Sequence, residues 1–167
     1  MRSSQACFIV LLAVFVLESN AQTIVLRAGN LVDPASGTVS KNQTILIKGK
    51  DIAEVGSKVD VPNGAQVIDL SNSWVLPGLM DAHTHVTFSL PPGLNIEGSY
   101  LVESSGFRAL LGTHNAQLIL EAGFTTVKDV GNEANYASVD LRRAIQKGWF
   151  KGPTIITTGK IIAPFGG

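Results

Sequence analysis

The chain has a single cysteine, Cys7, and it lies at the extreme N-terminus. A disulfide framework and a cysteine-based zinc site are therefore excluded from the rest of the chain, and any metal ligands have to be His, Asp, Glu or a modified Lys. Excess charge of either sign is also missing, with 13 basic residues against 13 acidic ones. Nothing in that balance suits nucleic acid or an anionic membrane surface, so neither is expected as a partner. Long hydrophobic runs are scarce: the apolar stretch Phe8 to Leu17 falls short of the roughly 20 residues that span a bilayer, and no stable membrane anchor is expected. There is no Gly-x-Ser-x-Gly elbow, which leaves a serine hydrolase without support. The glycine after Asp129 and Val130 follows a strand-like run but lacks the spacing of a dinucleotide- or phosphate-binding loop.

What the N-terminus does contain is the pattern of an export signal. Arg2 supplies the positive start, Phe8 to Leu17 the apolar core, and Ser19, Asn20 and Ala21 a small-x-small cleavage site. Residues 1–21 are read as a signal peptide cut after Ala21, which makes the mature chain secreted or periplasmic. Cleavage removes Cys7, and because Arg2 and Glu18 leave together the charge balance stays at zero.

Residues 22–74 hold short β-branched runs separated by turn formers: Asp33 and Pro34, Ser36 and Gly37, Gly49 and Lys50, and Pro62 to Gly64. This texture is antiparallel β, with a hairpin expected across Gly49 and Lys50 and with Ile45 and Ile47 on one face. From Val75 the pattern becomes strand, helix, strand, helix, strand. Phe107, Leu110, Leu111, His114 and Leu118 recur at helical spacing and Gly123 follows as a stop, so an apolar helix face with a packed His114 is expected. Thr125 to Val130 is the next strand. Ser138 is the expected N-cap of a second helix that ends at Gly148, and Thr154 to Thr158 is the third strand. Strands alternating with helices imply a parallel sheet.

The most informative residues are His83 and His85, at the end of the apolar run that begins at Trp74. In an extended strand, residues two apart point the same way with Cα atoms roughly 6.5–7 Å apart, so both imidazoles can turn toward one ion. Zinc and similar ions require three or four protein ligands, so the pair makes part of a site.

The segment Leu76 to His85 (LPGLMDAHTH) resembles the first barrel strand of the amidohydrolase superfamily, the metal-dependent hydrolases built on a (β/α)8 barrel. Ile24 to Asp33 (IVLRAGNLVD), Ile45 to Val55 (ILIKGKDIAEV) and Val67 to Leu70 (VIDL) look like the small β-sandwich that precedes that barrel. Gly123 to Gly131 (GFTTVKDVG) and Gly152 to Gly167 (GPTIITTGKIIAPFGG) look like barrel strands two and three of the imidazolonepropionase-like and prolidase-like branch. The resemblance implies an α/β fold in which residues 22–74 belong to the sandwich and residues 75–167 form the first three β/α units of an incomplete barrel. It assigns His83 and His85 to the more buried ion of a one- or two-metal centre, zinc by preference. The implied chemistry is hydrolysis of an amide, cyclic amide, dipeptide or ester of a small-molecule substrate by metal-activated water.

The family's remaining metal-site residues are a lysine on strand four, histidines on strands five and six, and an aspartate on strand eight, and they have no counterparts in this sequence. The chain therefore reads as the N-terminal part of an exported enzyme, inactive by itself, with homo-oligomerisation as one way to cover the sheet edge it would leave open. The alternative from another class is a catalytically inactive, truncated secreted β/α protein with a binding role or none. Asp81 shares strand parity with the histidines and is a candidate to orient an imidazole, with a structural carboxylate as the competing role. Asp129, at the end of strand two, is a candidate to reach the site, against a hydrogen bond to a neighbouring loop. Lys128 faces oppositely and is not expected as a ligand. Phe88 to Tyr100 is expected to be a loop walling a substrate pocket.

Overall fold

A computed structural model describes residues 22–89, 92–93, 96–131, 135–162 and 164; the export segment lies outside the described residues. The chain divides into two compact units, Met1–Leu76 and Pro77–Gly167.

In the first unit the described residues make one four-stranded sheet in the order β3-β2-β1-β4, from β1 (Thr23–Asp33), β2 (Thr38–Lys48), β3 (Asp51–Gly56) and β4 (Gln66–Val75). β1–β2 and β2–β3 are antiparallel and β1–β4 is parallel. The hairpin turns at Gly49 and Lys50 as expected, and Gly49 takes φ +63°, a left-handed conformation that glycine adopts without steric cost. Strict alternation fails in β2, where Ile45 and Leu46 are both buried although they point to opposite faces. The expected two-layer sandwich is present as one layer, because all four strands join a single ladder and none is left to build the opposing sheet.

The second unit is a parallel sheet in the order β5-β6-β7, formed by β5 (Leu79–Thr84), β6 (Phe124–Asp129) and β7 (Thr154–Thr157). Between β5 and β6 lie α1 (Ile96–Val102) and α2 (Ser105–Glu121), and between β6 and β7 lies α3 (Ala137–Gln146). Helix α1 begins within the stretch Phe88 to Tyr100, which was expected to be a loop walling a substrate pocket, and runs two residues past it. Buried Arg108 of α2 fastens it, through an ion pair to Glu103 at 3.3 Å and a hydrogen bond donated to Ser99 Oγ at 3.1 Å.

Helix α2 begins where Ser104 Oγ accepts the backbone N–H of Phe107 at 3.1 Å, and Gly123, at φ +92°, follows its end. Its buried side is not the expected apolar stripe. Phe107, Leu110, His114 and Leu118 are exposed, whereas Arg108, Gly112 and Ala116 are buried. Close approach decides this: a Cβ on Gly112 would meet Thr87 Cγ2 at 2.9 Å and Leu141 Cδ2 at 3.1 Å, so only the small-residue face can sit down on the sheet and on α3. The core beneath it is Val86, Ala116, Val127, Leu141 and Ile155, with Ile119, Phe124 and Ile145 packed around.

Ser138 does not cap α3. The N-cap is Tyr136, which makes no side-chain cap bond, and Ser138 Oγ instead lies 2.8 Å from Thr157 Oγ1 on β7, tying the helix to the sheet.

Among the described strands β5 and β7 each pair only with β6, which leaves two open edges. Met80 on β5 is 76% exposed, and Leu110 on α2 is 68% exposed. Unpaired edges next to apolar side chains template association with other chains. Residues 22–167 expressed alone are expected to self-associate, measured by light scattering after size exclusion. A monomer with a sharp thermal transition would contradict this.

Candidate metal centre

The parallel pairing sets the C-terminal ends of all three strands of the second unit side by side, with Thr84 opposite Asp129 and Asp129 opposite Thr157. His83 is the penultimate residue of β5 and His85 immediately follows it. Between Asp81 and Thr84 the register shifts: β5 advances three residues while β6 advances two, from Val127 to Asp129. The pair therefore stands on a bulge, not on a regular strand. Asp81 occupies the bulge, and its Oδ1 accepts the backbone N–H of His83 at 2.9 Å. It holds backbone and orients no imidazole, which corrects the expectation that placed it behind a ring.

The two rings nevertheless converge, with centres 5.5 Å apart and planes inclined at 70°. Imidazole nitrogens bind zinc-like ions at about 2.0–2.1 Å, which puts each ring centre roughly 3.2 Å from the ion and two rings on tetrahedral bonds about 5.2 Å apart. The observed separation is close to that value. His85 Nδ1 lies 3.0 Å from the backbone oxygen of Gly131. A carbonyl only accepts, so Nδ1 is the donor, and in the neutral ring that leaves the lone pair on Nε2, the form a metal ligand requires. Among the described residues no group of three or more His, Cys, Asp or Glu converges to hold an ion. Two imidazoles are fewer than the three or four protein ligands that zinc takes.

Asp129 is fully buried and touches neither ring. Its Oδ1 accepts the backbone N–H of Val86 at 3.0 Å, and its Oδ2 accepts weakly from Thr157 Oγ1 at 3.4 Å. It is therefore a cross-strand fastener of the loop that carries His85, not a group that reaches into the site. Asn115, beside the histidine that the helical spacing singled out, completes the fastening from α2: its Nδ2 donates to the Val86 carbonyl at 2.9 Å and, more weakly, to that of Phe88 at 3.4 Å. The residue after His85 is thus held by its N–H, by its C=O and by its buried side chain. Asn115 was missed in the sequence, where a polar residue on a helix with no partner in view reads as solvated. The amide set among buried Gly112 and Ala116 was the available signal. Lys128 is exposed, as its strand parity implies, and His114 is exposed on α2 away from the pair.

A cavity of about 370 Å³ lies between the end of β5 (Asp81, Thr84, His85) and α2 (Asn115, Leu118, Ile119). His85 lines it and His83 does not. The pocket wall expected over Phe88 to Tyr100 falls partly outside the described residues, which within that stretch show the start of α1.

A parallel sheet with helical crossovers is the unit from which (β/α)8 barrels are built, and such barrels carry their sites at the C-terminal strand ends, where the histidine pair stands. Residues 74–164 match the amidohydrolase family, and the chain belongs to it. It is 29% identical over 111 residues to a dihydroorotase of Anaeromyxobacter sp. (strain K), covering 64% of this chain and 25% of that protein. Among solved structures it superposes on a Xaa-Pro dipeptidase with a TM-score of 0.76 at 32% identity, over 87% of this chain and 35% of that one. Phenylurea hydrolase B gives a TM-score of 0.74 at 29% identity, over 87% and 33% of the two chains. The chain thus spans about a quarter of the length of that curated relative and about a third of those solved structures.

Replacing Asn115 by Ala removes the donor to the Val86 carbonyl, and an unmet buried carbonyl costs about 1–3 kcal/mol. Denaturant unfolding is expected to show a loss of that size, and an unchanged midpoint would reject the clamp.

Proposed function

We propose that this chain is the N-terminal part of an exported, zinc-dependent amidohydrolase that cleaves carbon–nitrogen bonds in a small molecule: an amide, a cyclic amide or a dipeptide, with esters as a secondary class. One observation carries the reading: two imidazoles 5.5 Å apart at a strand end, one of them held with Nε2 free. His83 and His85 would hold the ion together with further ligands, and an ion held so would supply a bound water of pKa about 7 and polarisation of a substrate carbonyl. The chain's own part is to present two imidazoles on a bulge that Asp81 braces, and to hold the following segment through Asp129 and Asn115. The likeness to a dihydroorotase and to a Xaa-Pro dipeptidase supports the carbon–nitrogen preference.

Among the described residues there are two candidate ligands and no group of three that could hold an ion. The chain's exposed Met80 and Leu110 favour the second reading for the isolated polypeptide, a secreted β/α protein without catalysis. In the complete protein, replacing both His83 and His85 by Ala is expected to remove most bound metal and hydrolytic activity while leaving the fold formed. Unchanged metal content by elemental analysis would reject the ligand assignment.

Export rests on Arg2, the apolar core and the small residues up to Ala21. Mass spectrometry of material recovered outside the cytoplasm is expected to find Gln22 at the N-terminus, and an intact Met1 start would contradict it.

A further inference from the structure

We propose that the turn Asp129 to Gly131 at the end of β6 is the positioning device for His85, selecting which of its ring nitrogens is free and where it points. The inference deepens the metal-centre reading and rests on it. Two contacts run from this one turn to the segment that carries the ligand. The Gly131 carbonyl takes the Nδ1 proton at 3.0 Å, and the Asp129 carboxylate takes the N–H of the next residue, Val86, at 3.0 Å.

The turn itself has little freedom. Val130 N donates to the Thr84 carbonyl at 3.0 Å on one side, and the Asp129 carbonyl accepts Thr158 N at 3.0 Å on the other. Gly131 is buried at φ +139°, where a side chain is disfavoured, and a Cβ there would run into the Ile161 side chain. Glycine is required for its carbonyl to reach the ring.

The consequence for the ligand is chemical. A free neutral imidazole prefers its proton on Nε2, so without the Gly131 carbonyl the nitrogen needed for a metal would carry a hydrogen. With it, the proton sits on Nδ1 before any ion arrives, and hydrogen-bonding partners of this kind typically change metal affinity about 10- to 100-fold. Asp129 acts through the backbone and is a positioning residue.

The test uses the complete protein with 15N-labelled histidine. Long-range 1H–15N correlation reads the tautomer of His85 in metal-free protein, and chelator competition reads zinc affinity, for the wild type and for Asp129→Ala, Asp129→Asn and Gly131→Ala. The wild type is expected to hold Nδ1–H. Asp129→Asn should keep it, since the amide oxygen still accepts from Val86 and the amide nitrogen can donate to the Thr157 hydroxyl. Asp129→Ala and Gly131→Ala should move His85 toward Nε2–H and weaken zinc about 10- to 100-fold, with circular dichroism checking that they fold. A wild type holding Nε2–H overturns the proposal without reference to any variant, as do folded Ala variants that retain Nδ1–H and full affinity. A wild type with Nδ1–H that binds no zinc refutes the metal-centre reading and leaves the positioning role standing.

Discussion

The buried carboxylate of Asp129 accepting the backbone N–H of Val86 is the contact on which the site depends. A fully buried carboxylate is tolerated only where its oxygens meet donors, and here the donors are a loop N–H after β5 and, more weakly, a hydroxyl on β7. One residue on the middle strand thereby ties together the ends of all three. Those ends are where a parallel α/β sheet presents chemistry, so cohesion and function meet at one point.

From that point the packing runs inward. Val86, held by Asp129 at its N–H and by Asn115 at its carbonyl, inserts its side chain into the cluster of Ala116, Val127, Leu141 and Ile155. The histidine pair is therefore fixed to the core through its neighbour in sequence, while the rings themselves stay exposed. A ligand anchored this way can face an open site without losing its geometry, which is the arrangement a hydrolytic centre needs.

The outer face of the same unit has the opposite character. Helix α2 lays down Gly112 and Ala116 and leaves Phe107, Leu110 and Leu118 in solvent. Small residues win the sheet because the helix must approach closely enough to meet Thr87 and Leu141. The larger apolar residues are then left as a surface suited to further packing, and a barrel's remaining units would provide it.

The order of strands and helices after Val75, the hairpin at Gly49 and Lys50, the helix over Phe107 to Leu118 with its stop at Gly123, and the proximity of His83 to His85 are local in origin: periodicity, turn residues and a two-residue spacing suffice to express them. Which face of α2 is buried, why Ser138 bonds to β7 instead of capping α3, and why Asp81 serves backbone were not legible, because each depends on what another segment places opposite. The same holds for Asn115, Asp129 and Gly131, whose partners lie 29, 43 and 46 residues away in sequence. The sequence by itself determined the element order and the pair of imidazoles. Tertiary structure alone decided which nitrogen of His85 is free and what holds it there, since a hydrogen bond between distant segments exists only once the parallel sheet has brought their ends together.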